Sequence, residues 1–410
     1  MTPRTPLRAA AALVAVLALG LAGCTSTTAR TTGTSDGAGV IGIALPSTAD
    51  AEWVRAGDAL SAALRDRGYR VDLQFAAADA RTQGAQVQNM RTKGADAVIV
   101  APLPGDVSAA APPSEGADPV VLFGRTSTAY AVAFTAVVEP EELGRAQAEA
   151  LLAELPEVTP DAVDPGDGPF DAGSDAGATI EPDAGPDTDE STGPDAGTSP
   201  DDSAPVVAPA RVAVLAATTD DAWERRRYDA AVATLAPAAA DGRLTLVAGA
   251  TWDEAAVADD PLDVAAAAED RARALGRSDP APTALLALGD AVTRGVVTAV
   301  TTDPPADDDA SPSPTPVPSS TAAPAPAPLV VGSGADTVTA RALHDGAIAA
   351  TVFADPRALV PATVDAIDAL LARRAPEAGV TSGSPEILRP DDVDTALVDT
   401  GWLRADDLSG

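Results

Sequence analysis

The residue types that carry covalent chemistry are nearly missing from this chain. Its 410 residues include one histidine, His344, one cysteine, Cys24, and one lysine, Lys93. A Schiff base would have to use that lysine, and a serine nucleophile would have to recruit that histidine. Neither a Cys/His zinc cluster nor an internal disulfide can be built. Carboxylates are plentiful, but the order of elements does not suggest a glycosidase. Neither an enzymatic activity nor a cofactor is expected, which leaves recognition without covalent chemistry. There are only four tryptophans, and Trp53 stands in "IALPSTADAEWVRAGDALSAAL", at the first strand-to-helix turn. In an open α/β sheet such a turn lies at the carboxyl end of a strand, where ligands bind. Trp53 is therefore either a ligand platform or a hydrophobic cover on the core.

The elements that would position such a site begin after a leader. Arg4 and Arg8 precede an apolar run from Ala9 to Leu19, followed by "LAGC", Leu21 to Cys24. This segment resembles the lipobox of bacterial lipoproteins, which implies cleavage before Cys24 and its lipidation. Residues 1–23 are then a signal peptide and 24–38, "CTSTTARTTGTSDGA", a flexible tether. The expectation is an extracytoplasmic protein held to the cell membrane by its acyl chains, without a transmembrane helix. With 61 acidic against 27 basic residues and a net charge of −34, a phosphate backbone would be repelled, so nucleic acid is not an expected partner.

From Val40 onward short apolar runs alternate with longer helical periods. "VIGIAL", "YRVDLQF", "ADAVIVAPL", "DPVVLFG" and "AYAVAFTAV" read as strands, with helices over 53–67, 81–93 and 141–155. The composition then changes: residues 156–209 contain no basic residue, and Asp-Ala-Gly recurs at 171, 175, 183 and 195. Calcium-loop spacing fails there, because Asp187-x-Asp189 lacks the following glycine and distal glutamate, so the segment reads as a disordered acidic insert. Patterning resumes with "ARVAVLAA", "GRLTLVAGA" and "TALLALG" as strands and helices over 223–240, 262–275 and 290–301. A Pro-rich insert, 302–328, precedes "LVVGSG", a helix over 337–343, "IAATVFAD" and a last long helix over 357–374. Strands alternating with helices predict an α/β fold of two doubly wound parallel-sheet lobes.

Taken in order, "IGIALPSTADAEWVRAGDALSAALRDRGYRVDLQF", "TQGAQVQNMRTKGADAVIVAP", "TTDDAWERRRYDAAVATLAPAAADGRLTLVAG", "ALGDAVTRGVVTAV", "DGAIAATVFADPRALV" and "ILRPDDVDTALVDTGWL" resemble the substrate-binding lipoproteins of ABC sugar importers, the multiple-sugar or xylose-binding kind, of the type I periplasmic-binding-protein fold. The resemblance implies three crossings between lobes, with 39–138 plus 347–377 in lobe I and 139–346 plus 378–410 in lobe II. It implies a monomer that closes on a small solute in a central cleft and presents the closed form to an ABC permease. Aromatic faces would stack on sugar rings, and planar polar side chains would bond the hydroxyls.

The resemblance also implies polar positions, of which this chain keeps part. After strand four Arg125 matches, but Gly124 stands where an aspartate is expected. At the first crossing Thr135 and Glu139 are the nearest polar groups to an expected Asp-Asn pair. "TTDDAW" keeps Asp220 and Asp221 but has Ala222-Trp223 in place of asparagines. "LGDAV" keeps Asp290, and "VGSGAD" has Ser333-Gly334 for Gln-Asp, with Asp336 two residues on. The candidate ligand residues are Trp53, Arg125, Asp221 and Asp290. Each carries an alternative: Arg125 a surface ion pair, Asp221 and Asp290 helix caps. Trp223 is either a second stacking face or a helix-packing residue; Trp252 and Trp402 are expected in the core, His344 exposed, and Glu52 a first-turn acid complementing the helix dipole. The expected function is capture of a neutral or cationic, sugar-like solute for import. The alternative is a degenerate binding module serving as sensor or surface scaffold.

Overall fold

The computed structural model of the chain describes residues 39–104, 119–156, 208–302, 327–377 and 380–409. The leader, the tether and nearly all of the two low-complexity inserts expected from the sequence lie outside the described residues. Two mainly parallel sheets organise the rest. The first half begins with β1 (Val40–Leu45), α1 (Ala51–Asp66), β2 (Arg70–Phe75), α2 (Ala80–Thr92), β3 (Ala97–Val100), β4 (Val120–Gly124), β5 (Phe134–Val137) and α3 (Pro140–Glu154). After the acidic segment come β6 (Ala210–Thr218), α4 (Ala222–Ala240), β7 (Leu244–Ala248), a one-turn α5 (Trp252–Ala255), β8 (Ala256–Ala258) and α6 (Val264–Gly276). The remainder is β9 (Ala284–Ala287), α7 (Asp290–Thr301), β10 (Leu329–Ser333), α8 (Thr337–His344), β11 (Ala350–Phe353), a 3₁₀ turn (Pro356–Leu359), α9 (Val360–Leu371), β12 (Val380–Ser382), β13 (Glu386–Leu388) and α10 (Ala405–Leu408).

The first sheet has the order β12-β5-β4-β3-β1-β2, and every pairing in it is parallel. The second has the order β13-β11-β10-β9-β6-β7, with β8 paired to the end of β6 and only β13 antiparallel. Their strands read as continuous aliphatic runs because helices cover both faces. Ile41, Ile43, Ile99 and Val121 are fully buried in the first sheet, as are Val212, Ala213 and Leu286 in the second. Each sheet has one hydrophobic cluster on either face. In α1 the small and aliphatic residues Ala56, Leu60 and Leu64 recur on one face and are buried against the first sheet.

The chain crosses between the lobes three times, but two crossings fall later than expected. β11 extends the second sheet, parallel to β10 and antiparallel to β13. β12 instead adds to the first sheet, parallel to β5. The boundaries expected near 347 and 377 therefore move to about 354 and 383. Hydrophobic period identifies a strand without saying whose edge it joins, and here edge pairing decides. Between the crossings, Leu359, Val364 and Ile367 pack in the first lobe's core. A small cluster of Val138, Leu143 and Val352, with Trp223 and Ala354 against it, fills the space between the sheets where the strands cross.

Other differences are local. The strand expected over "AYAVAFTAV" forms only at its end, Phe134–Val137. The expected helix over 357–374 divides into a 3₁₀ turn capped by Asp355 and then α9. α5 and β8 were not foreseen, being too short for a period to register.

Candidate functional site

A cleft of about 240 Å³ separates the lobes at the carboxyl ends of the strands. All four candidate residues line it: Trp53 and Arg125 from the first lobe, Asp221 and Asp290 from the second. Trp53 lies in the first turn of α1, packed on the first lobe's core while also lining the cavity, so it is both core cover and cleft wall. Its ring explains the glycine at 124. Gly124 has φ +74°, and a Cβ there would sit 3.0 Å from the Trp53 ring. An aspartate at that position would have to displace the ring.

Arg125, in the loop after β4, reaches across the cleft. Its Nη2 donates to Asp221 Oδ2 and to Glu224 Oε1, each at 3.1 Å. The arginine side chain is 18 % exposed and both carboxylates 7 %, so the surface-pair alternative is corrected to an enclosed bridge between lobes. The guanidinium also lies 4.8 Å from the centre of the Trp223 ring. Burial opposes its charge, but Asp221 and Glu224 outweigh that and hold its pKa above the ordinary arginine value.

Asp221 fills both roles considered for it. Its Oδ1 accepts from the backbone N–H groups of Trp223 and Glu224, at 3.0 and 3.2 Å, capping α4, while Oδ2 faces Arg125. Asp290 opens α7, but Gly289 is the residue at the cap position. Instead of capping, Asp290 accepts through Oδ1 from the Ser333 hydroxyl at 2.9 Å. Ser333 in turn accepts from Arg227 Nη2 at 2.7 Å, and Arg227 Nε donates to Gln147 Oε1 at 2.8 Å. Gln147 is itself fixed by donating to the carbonyls of Ala287 and Gly332. A buried polar chain thus runs from α3 through α4 to the start of α7. Gly334, in the left-handed region at φ +77°, belongs to this arrangement: a Cβ there would lie 2.2 Å from the Asp290 carboxylate.

The expectation for Glu52 needs correction. It does sit in the first turn of α1, but it lines the cavity and hydrogen-bonds Asp290 across the cleft. Burial, then the charge and hydrogen bond of Asp290 and the charge of Asp50, push its pKa well above the ordinary 4.5, with Arg125 opposing. The raised value favours the neutral form of Glu52 relative to an exposed glutamate. Burial also raises Glu224, against the pull of Arg227 and Arg125. A second bridge lies beside the first: Arg294 donates to Asp50 Oδ1 of the first lobe at 2.9 Å and to Asp336 Oδ2 at 3.0 Å.

Other candidates lie elsewhere. Asp220 is exposed outside the cavity wall, and Glu139 pairs with Arg226 at 3.0 Å on the surface. Thr135 does not reach the cleft wall either. Trp223 lines the cleft, whereas Trp252 and Trp402 are buried and donate to the Thr219 and Ala335 carbonyls. His344 is exposed beside Asp345. Sequence reasoning missed Asp50, Glu224, Arg227 and Arg294. Glu224 and Arg227 are three apart on one helix face, but "WERRR" offers Arg225 and Arg226 as equal alternatives, so only the packed structure separates them. Among the described residues, no group of His, Cys, Asp or Glu is arranged to hold a metal ion. Nor is any helix among them long and apolar enough to cross a membrane.

The solved structures similar to this fold include an ABC transporter solute-binding protein from Clostridium phytofermentans with bound β-D-glucose. It is 22 % identical with a TM-score of 0.64, covering 90 % of this chain and 99 % of that one. A carbohydrate transporter solute-binding protein from Chloroflexus aurantiacus, in complex with D-glucose, is 19 % identical with a TM-score of 0.62, covering 90 % and 97 %. Among curated proteins, the multiple sugar-binding periplasmic receptor ChvE of Rhizobium radiobacter is 39 % identical over 67 residues, 16 % of this chain and 19 % of the receptor. The multiple sugar-binding periplasmic protein SbpA of Azospirillum brasilense is 32 % identical over 65 residues, 16 % of this chain and 18 % of that protein. The model of the periplasmic binding protein domain matches residues 41–375, most of the two-lobed fold, and the chain belongs to that family.

Proposed function

We propose that this protein is an extracytoplasmic solute-binding lipoprotein that captures a sugar-like solute between its lobes and delivers it to an ABC importer. The observation that carries the reading is the composition of the cleft wall. Trp53 and Trp223 supply aromatic faces, and Arg125, Asp221 and Asp290 supply planar polar groups. That combination suits a ring with apolar faces and hydroxyl edges. The cavity's 240 Å³ falls below the range of about 300–1,000 Å³ for drug-sized ligands, which favours a single ring over an oligosaccharide. Because the wall comes from both lobes, a ligand binds the closed arrangement better than an open one and shifts the population toward it. The closed form is what a permease would engage. Cys24 supplies the membrane anchor in this reading, and the protein acts as a monomer.

A thermal-shift screen of the full-length protein in mild detergent tests it, with pentoses, hexoses, polyols, disaccharides and amino acids as the panel. A ligand at about a thousand times its Kd stabilises the native state by about 4 kcal/mol. The expected result is a clear shift confined to one monosaccharide-like class and reduced by Trp53→Ala and Arg125→Ala. A flat response across the panel would overturn the reading and return the protein to a binding module without transport.

A further inference from the structure

The wall of the cleft carries more negative charge than its own cations neutralise. Five carboxyl groups line it, those of Asp50, Glu52, Asp221, Glu224 and Asp290, against the two guanidinium groups of Arg125 and Arg227. Those cations are already committed. Arg125 bonds Asp221 and Glu224, and Arg227 bonds Gln147 and Ser333. Arg294, just behind the wall, is divided between Asp50 and Asp336. Among the described residues no guanidinium bonds Glu52 or Asp290, and these two carboxyls hydrogen-bond each other across the cleft.

Glu224 adds a second, independent sign of a missing partner. It is only 6 % exposed, yet among the described residues its Oε2 accepts no hydrogen bond, and Arg227 Nη1 stands 3.9 Å from it. A buried carboxylate oxygen without a donor is costly, and native proteins seldom leave one so. Sugar hydroxyls would supply donors but no charge. An ammonium group supplies three donors and one positive charge, matching three carboxyls that converge from both lobes: Glu52 from α1, Glu224 from α4 and Asp290 from α7.

We propose that the solute carries a protonated amine, and that it is an amino sugar or aminocyclitol whose ammonium is held among Glu52, Asp290 and Glu224 while its ring stacks on the tryptophans. The inference rests on the sugar-like reading above and narrows it. An ammonium set beside Glu52 favours its ionised form and keeps its own protons, so binding releases protons to solvent over the pH range in which Glu52 titrates. Since Glu52 belongs to one lobe and its two partners to the other, the amine also favours closure, which a ligand bonding a single lobe would not do.

Isothermal titration of the full-length protein at pH 6–7 tests this, with glucosamine, galactosamine and mannosamine each compared with its parent hexose and its N-acetyl derivative. At least one amine should bind ten times more tightly than both uncharged counterparts. Its binding heat should also vary with the ionisation enthalpy of the buffer, with the sign of proton release, over the pH range in which Glu52 titrates. Glu52→Gln should abolish the proton release and narrow the preference for the amine to about threefold or less. Glu224→Gln, which leaves the Glu52–Asp290 pair in place, should narrow the preference but retain the release. Parent hexoses that bind as tightly as the amines would overturn the inference and leave the sugar-binding reading standing. If all three series are silent, both fall together.

Discussion

Replacing Arg125 by alanine removes the cation that the first lobe extends into the acidic wall of the second. Both ion pairs run through Nη2 at 3.1 Å, and all three side chains are largely enclosed. At an effective dielectric of about 20, two unit charges at such a separation attract by about 5 kcal/mol per pair. Desolvation offsets much of that gain. Truncating one partner of an enclosed charge pair nevertheless costs about 2–5 kcal/mol, largely because the remaining charges stay unpaired. Arg125 belongs to none of the lobe cores, so the cost falls on closure and not on the folding of either lobe. At about 1.4 kcal/mol per tenfold, the closed-to-open ratio drops by roughly 30-fold to a few thousandfold. Small-angle scattering of the ligand-free, full-length variant should show a larger radius of gyration than wild type. The thermal midpoint should meanwhile move by no more than about 2 °C, less than about 1 kcal/mol for lobes of this size. Unchanged scattering would refute the claim that this bridge holds the lobes together. A collapsed thermal midpoint would refute the separation of closure from folding.

Arg227, 3 % exposed and bonded to Gln147 and Ser333, should behave in the opposite way: Arg227→Met leaves buried polar partners unmatched and should lower stability by about 3–5 kcal/mol, read as a thermal midpoint lower by on the order of 10 °C. Gly334→Ala would press a Cβ to 2.2 Å from the Asp290 carboxylate at φ +77°; the expected loss is about 1–3 kcal/mol, seen in calorimetry as weaker ligand binding. A third expectation concerns pH. Burial and the charge of Asp290 raise the pKa of Glu52 well above 4.5, so the closed state binds more protons than the open or unfolded one. Its contribution is therefore fully present below pH 4.5 and is lost as pH rises through the raised value. Glu52→Gln, whose amide can donate to Asp290 as the protonated acid does, should flatten that slope in thermal melts between pH 4 and 9 and exceed wild type in stability at the alkaline end.

How much of this was legible beforehand depended on whether a feature is local or spans the cleft. The strands "VIGIAL" and "AVIV" announce themselves because burial on both faces demands continuous aliphatic residues. Trp53, Asp221 and Asp290 were found because each opens a helix just after a strand, a place that sequence period marks. The Glu52–Asp290 pair was not found, since Glu52 in a first turn looks like any dipole-complementing acid. Which carboxyl it meets depends on how two sheets are set against each other, and no spacing along the chain records that. The departures from the family's polar pattern at 124 and 334 looked like losses when read one position at a time. In three dimensions each glycine is matched to a neighbour that uses the space: the Trp53 ring at 124 and the Asp290 carboxylate at 334. Restoring an aspartate at either position would therefore collide with Trp53 or set a third carboxyl against Asp290 and Glu52. Each glycine and its neighbour thus form one steric unit, so an aspartate could stand at 124 or 334 only with an accompanying change at Trp53 or Asp290.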